Sequence, residues 1–317
     1  MEALFERAAS IAAPPALKKR ILRDHEQIRT LASQPGEREE DIFDSVAAHF
    51  TMARLRSILR REKEAFAATD AYVSQFPGIR GSYYSALVLV NSPAFTCVLS
   101  VLDPTAHRRH KAEPAPESRT VKFDGGPSCL KVLKGRIPLR IWSITPFDDS
   151  TDFARGGVTA RPGRSLSLRA GQQLRLNAFE EVEYLPFETP VVAIHTRLTS
   201  ETVPLAAICE ARSGTLMRTQ AVGQEPSRLQ MLATLLRMLG DPAAFDAIEE
   251  LLADRRHFVR WHAMRELIRL DPERTYPLLK RMSCDDRQPS VRRAAAETLD
   301  RYFSQSGSFG ARAAARA

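Results

Sequence analysis

Residues 254–267 read DRRHFVRWHAMREL, and 32 residues later 286–299 read DRQPSVRRAAAETL. Asp254, Val259, Arg260, Ala263 and Leu267 return as Asp286, Val291, Arg292, Ala295 and Leu299. Val, Ala and Leu at four-residue steps draw one apolar stripe down a helix, and the small Ala lets a neighbouring helix come close. The Asp can cap the helix start and the Arg can reach an acidic partner in the adjacent turn. Asp-Pro also recurs, at Asp241-Pro242 and Asp271-Pro272. The segments 242–254 and 272–284 supply second helices, and Leu229, Leu232, Leu235, Leu236 and Leu239 mark an earlier one. A helix pair of about 30 residues cannot bury its own apolar face, so stacked neighbours must supply the core.

The Asp…Val-Arg…Ala pattern resembles the first helix of HEAT-like repeats of the PBS-lyase type, over residues 225–303. That resemblance implies an α-solenoid and a surface for a protein partner, with Arg260 and Arg292 as candidate contact residues. Some HEAT-like enzymes hold a di-iron centre through several His-Glu dipeptides. Here the one such dipeptide, His25-Glu26, lies outside the repeats, and His257 and His262 read as ordinary helix residues.

Upstream of the repeats the texture changes twice. Residues 1–75 read as helical. Leu17, Ile21, Ile28 and Leu31 follow three-to-four spacing, and Gln34-Pro35-Gly36 breaks the chain. Phe43, Val46, Ala47, Phe50, Ala53, Ile58 and Leu59 then form a second stripe, beside a charged face from Arg54 to Glu64. From Tyr83 onward come short β-branched runs: 86–90, 95–102, 130–133, 139–144, 165–168, 174–176, 191–197, 205–210 and 215–218. Short strands at this spacing, divided by Gly and Pro, predict an antiparallel sandwich or barrel. The polar stretch 107–118, with Pro114 and Pro116, reads as an exposed linker.

Residues 163–178 resemble the second motif of cupin barrels in part. Gly163 and Gly171 match, but Arg169 stands where the motif has Pro, and Leu174 where it has a metal-binding His. Asn177 comes one residue early, and no histidine lies between His110 and His195. Leucine cannot coordinate a metal, and a first-row ion needs several converging ligands. The expectation is a cupin-like domain without metal and a protein without cofactor. Further candidate ligand-binding residues are Arg169 itself, Arg80, Tyr83 and Tyr84, the last three in a Gly-, Arg- and Tyr-rich junction, and His195 in the apolar run 191–195. A lone His in such a strand is more often a structural residue than a ligand. His107-Arg-Arg-His110 offers two imidazoles and two cations that a linker also explains, and Glu180, Glu181 and Glu183 read as a solvated edge. Gly-x-Ser-x-Gly, a phosphate loop and a dinucleotide fingerprint are all missing.

Composition bounds the partners. Net charge is +8, but it divides as +2 over 1–110, +3 over 111–224, +1 over 225–303 and +2 over 304–317. A phosphate-tracking surface concentrates its charge, so nucleic acid is a disfavoured partner. No apolar run reaches the roughly 18 residues of a membrane span. Residues 1–10 carry Glu2 and Glu6 and do not resemble a secretory signal. Cys97, Cys129, Cys209 and Cys284 lack zinc-knuckle spacing and read as reduced thiols of a cytoplasmic protein.

The fold expected is α+β: an N-terminal helical region 1–82, an antiparallel sandwich or barrel that resembles a cupin over 83–220, HEAT-like repeats over 225–303 and a disordered tail 304–317. The leading functional expectation is a cytoplasmic interaction or scaffold protein whose β domain holds a partner segment or small ligand. The alternatives are a cupin-like enzyme using Arg, Glu and Tyr with His195 as acid–base group, and a nucleic-acid-binding protein.

Overall fold

A computed structural model describes residues 39–69, 72–74, 76–92, 94–113, 120–148, 151, 157–199, 203–222, 224–240 and 243–302. The first amphipathic stripe (Leu17 to Leu31), the Gln34-Pro35-Gly36 break, Asp241-Pro242 and the tail from Ser304 lie outside the described residues. The chain is α+β and divides into two compact units. The first contains residues up to Ile144 with Ala160–Ser200 and Glu210–Gly214; the second contains Thr145–Thr159, Glu201–Cys209 and the chain from Thr215.

The first unit begins with α1 (Glu39–His49) and α2 (Met52–Ala68). The sequence reads as one helix here, but the chain breaks at Thr51, whose hydroxyl caps the Arg54 amide at 3.3 Å. The strands that follow are β1 (Gly78–Arg80), β2 (Tyr84–Asn91), β3 (Phe95–Leu102), β4 (Thr120–Phe123), β5 (Ser128–Lys134), β6 (Arg136–Ile144), β7 (Ala160–Arg169), β8 (Gln173–Leu176), β9 (Glu180–Tyr184) and β10 (Val191–Leu198), with α3 (Pro104–Ala112) between β3 and β4.

Six of the strands form an antiparallel sheet in the order β1-β2-β3-β10-β5-β8, and β7-β6-β9 form a second. Alternation along each strand sorts the side chains into two cores. Leu102, Leu130, Val132 and Ala193 of the large sheet meet Ile137, Leu139, Ile141 and Leu168 of the small one. On the other face of the large sheet, Phe95, Cys97, Leu99, Cys129 and Ile194 pack under Phe43, Val46 and Phe50 of α1 and Leu55 and Ile58 of α2. The layers therefore run helix, sheet, sheet. Strand β10 sits mid-sheet, between β3 and β5, and serves both cores.

The expected linker at 107–118 is a helix over its first part. Asp103 accepts from the Thr105 and Ala106 amides at 2.8 and 3.2 Å, and Pro104 opens the first turn of α3. His107 is buried against Tyr83 and Phe187. The helix is almost wholly polar, so periodicity alone does not reveal it.

The second unit contains the paired strands β11 (Leu205–Glu210, as far as Cys209) and β12 (Leu216–Ala221), then α4 (Gln224–Leu239), α5 (Ala244–Glu249) with the 3-10 turn Glu250–Ala253, α6 (His257–Leu270), α7 (Pro272–Asp285) and α8 (Pro289–Tyr302). Ala263 and Leu267 of α6 close one core with Ala233, Phe245 and Ile248. Met264 on its flank joins Leu279, Met282, Val291 and Ala295 in the next. The recurring Val, Ala and Leu therefore lie where a stack needs them, and Asp271 caps α7 through the Arg274 amide at 3.0 Å.

Candidate ligand site in the sandwich

The first unit holds a cavity of about 390 Å³ whose lining includes Tyr83, Tyr84, Tyr184, Glu181, Ser100 and His195. Two strands position the tyrosines. Tyr83 and Tyr84 enter β2, and Tyr184 ends β9. Tyr84 requires Gly81: a Cβ on that glycine would lie 2.2 Å from the Tyr84 ring, which folds back over it. The ring of Tyr83 meets Tyr84 edge-on at 5.5 Å between centroids and Tyr184 at 6.5 Å. Behind it, His107 and His110 stand at 5.0 and 5.2 Å. Burial, then the neighbouring Tyr84 and Glu181, push the Tyr83 hydroxyl up to about 12, so it remains a donor. Burial raises Tyr184 further.

His195 enters from β10, opposite Val98 of β3 and Leu130 of β5. Burial first, and the Arg197 charge second, push its imidazole down to about 4. The ring is therefore neutral near pH 7. Its Nε2 is buried and meets no hydrogen-bond partner among the described residues. An unpaired buried polar atom is costly, and here it belongs to a side chain that lines a cavity.

Two residues along β10, on the same side of the strand, Arg197 joins a closed set of charges. It pairs with Glu181 and lies 3.9 Å from Asp124, which in turn holds Lys122 at 2.8 Å. Burial alone would depress Arg197, but Glu181 and Asp124 outweigh it and raise its pKa. Glu181 is thus buried, not part of a solvated edge. Glu183 takes Lys111 at 2.9 Å and the Trp142 indole at 3.0 Å, which ties α3 to β9. Burial raises Glu183, yet those two donors overcome it and hold the carboxyl below its usual range.

The other sequence candidates lie elsewhere. Arg80 and Arg169 are exposed; Arg169 ends β7, its amide donating to Gln172 Oε1 at 2.8 Å. Leu174, in the place of the cupin histidine, faces Leu130 across β8 and β5 and packs into the core between the sheets. Among the described residues no group of three His, Cys, Asp or Glu side chains could hold a metal ion. In the second unit, Arg260 donates Nε and Nη2 to the two carboxylate oxygens of Asp286, at 2.8 and 2.6 Å. Arg292 donates to the Asp286 carbonyl at 2.6 Å. Both arginines therefore serve the stack. Tyr184, Glu181, Arg197 and Asp124 were not sequence candidates for the cavity. The period of two along β10, which sets Arg197 beside His195, is the sequence signal that reaches one of them.

Helix α4 has an unusual outer face. Met231, Leu232, Leu235, Met238 and Leu239 are 59, 50, 51, 68 and 77% exposed. Their spacing sets them in one row.

Residues 220–300 match the family of HEAT repeats. No curated protein matches the chain. Solved structures similar to it include an RmlC-like cupin from Shewanella frigidimarina, at 12% identity over 40% of this chain and 86% of that one, TM-score 0.24. The cupin domain of Cnp3 from Schizosaccharomyces pombe matches at 10% identity over 41% and 68%, TM-score 0.22. Hydroxypropylphosphonic acid epoxidase from S. wedmorenis, in complex with fosfomycin, matches at 17% identity over 59% and 99%, TM-score 0.25. The class is thus an α+β protein with a two-sheet antiparallel domain and a C-terminal stack similar to HEAT repeats. No helix among the described residues is long and apolar enough to cross a membrane.

Proposed function

We propose that this protein is a cytoplasmic interaction protein whose sandwich holds a small ligand without a metal and whose HEAT-like stack engages a protein partner. The observation that carries the ligand part is a 390 Å³ cavity lined in part by His195, a side chain whose buried Nε2 is unpaired. Pockets of this size hold small molecules through apolar walls and a few placed polar groups. The protein-contact part is supported by the match to HEAT repeats and by the exposed apolar row on α4, since the end of a solenoid is ordinarily closed by a polar face. Three buried cysteines, all free, fit a reducing compartment.

The test is a small-molecule screen read by melting temperature, on the wild type and on His195→Leu. Compounds that raise the wild-type midpoint and leave the variant unmoved support the ligand-holding reading. A screen in which every stabilising compound acts equally on both proteins rejects it.

A further inference from the structure

The cavity's own chemistry narrows what it takes, given the reading above that it holds a ligand. Its lining charges are already matched: Lys122 and Asp124 pair, and Glu181 and Asp124 share Arg197. A charged ligand would bury its ion with no free counter-charge, which is costly. The Ser100 hydroxyl is spent on the Ala193 carbonyl at 3.3 Å. What remains is aromatic and aliphatic surface, the three tyrosines with Val98, Val121 and Val182, together with the tyrosine hydroxyls and the unpaired ring nitrogen of His195. Tyr83 stands edge-on to both Tyr84 and Tyr184, at interplanar angles of 71° and 81°. Rings set this way present both edges and faces to a further ring.

We propose that the cavity takes an uncharged ligand of one or two aromatic rings bearing a hydroxyl, its rings against Tyr83, Tyr84 and Tyr184 and its hydroxyl on His195 Nε2. A hydroxyl suits either tautomer, because it can donate to the bare nitrogen or accept from the protonated one. The ligand would thus supply the hydrogen bond that the fold leaves unmade.

Four probes of one shape separate the possibilities: 4-methylphenol, toluene, 4-methylbenzoate and 4-methylbenzylammonium. Each is titrated into the full chain, with imidazole nitrogens and tyrosine rings followed by NMR. The phenol should bind up to about tenfold more tightly than toluene, the worth of one hydrogen bond. It should exceed both ions by about tenfold or more, and it should shift the His195 nitrogens. In His195→Leu, which retains the apolar volume, the phenol should lose its advantage over toluene while both still bind. A tighter ion, or a phenol advantage that survives in His195→Leu, overturns the inference and leaves the cavity a ligand site of another class. No shift of any lining residue by any probe at its solubility limit overturns the ligand-site reading as well.

Discussion

Arg260 of one repeat grips Asp286 of the next with two parallel hydrogen bonds, and both side chains are 5% exposed. The guanidinium also donates Nη1 to the Asp254 and Arg255 carbonyls, each at 3.0 Å. One side chain thus fastens the loop before α6 to the loop before α8. Removing one partner leaves a buried charge alone, so Arg260→Met should cost about 3–5 kcal/mol. Arg260→Met with Asp286→Leu should recover most of that loss, as measured by urea unfolding. The pair also sets an acid limit. Burial would raise Asp286, but Arg260 and the Gln288 amide overcome it and hold the carboxyl below its usual value. Its contribution is therefore intact above about pH 4 and falls away as pH drops through the lowered folded value.

Leu267 is fully buried between α4, α5 and α6. Leu267→Ala removes methyls and leaves a void, at a cost of about 2–5 kcal/mol. A stack with so few interfaces should show it as a clear drop in unfolding midpoint. Glu249→Ala, at a site 39% exposed, should change stability by about 0.5 kcal/mol or less. Equal midpoints for Leu267→Ala and wild type would show that the 32-residue register carries no core.

His195 should titrate near pH 4 in the fold, pressed down by burial and Arg197 against the pull of Glu181 and Asp124. In the unfolded chain an imidazole takes its proton near pH 6.5. Between those values the unfolded state binds more protons, so stability falls as pH falls. His107 and His262, also lowered, add to the same slope. His195→Leu should flatten it measurably: the stability difference between pH 7 and pH 5 shrinks relative to wild type. An unchanged difference, or an NMR midpoint above 6, would contradict the burial of this ring.

Cys284 is exposed while Cys97, Cys129 and Cys209 are buried, with thiols pushed up by burial to about 12, 11 and 11. An aromatic disulfide reagent should therefore label one thiol quickly and the other three only after denaturation. Cys97 and Cys129 flank Thr196 of β10 on opposite sides, two strand spacings or about 10 Å apart. That separation is beyond disulfide reach, so mass spectrometry after mild oxidation should find them unbridged.

The repeat was legible because Val259, Ala263 and Leu267 carry their stripe within one helix, and a second copy follows in the same register. The sheets were legible from β-branched runs. What escaped were side chains whose role is made across elements. Nothing local marks Glu181 as the partner of Arg197, since the two meet only when β9 and β10 face each other. Tyr83 and Tyr84 came into view through their glycine-rich junction, and Tyr184 had no such flag. The helix over Pro104–Ala112 was hidden by its charges, although Asp103-Pro104 is a start signal. Helix α4 shows the reverse: its leucines announce a helix, and several of them nonetheless face outward.

Strand β10 gives the molecule two independent vocabularies. Val192, Ile194 and Leu198 speak only to the layer under α1 and α2, while His195 and Arg197 speak only to the cavity side. An experimenter wishing to retune selectivity can randomise the second set and leave the first untouched, which few walls of a binding pocket allow. A single inserted residue anywhere in 191–198 would exchange the two sets, putting a charge among phenylalanines and an isoleucine where the hydroxyl should dock. Across descendants of this chain, substitutions along β10 should accumulate with a beat of two, and length changes should be confined to the turns at its ends.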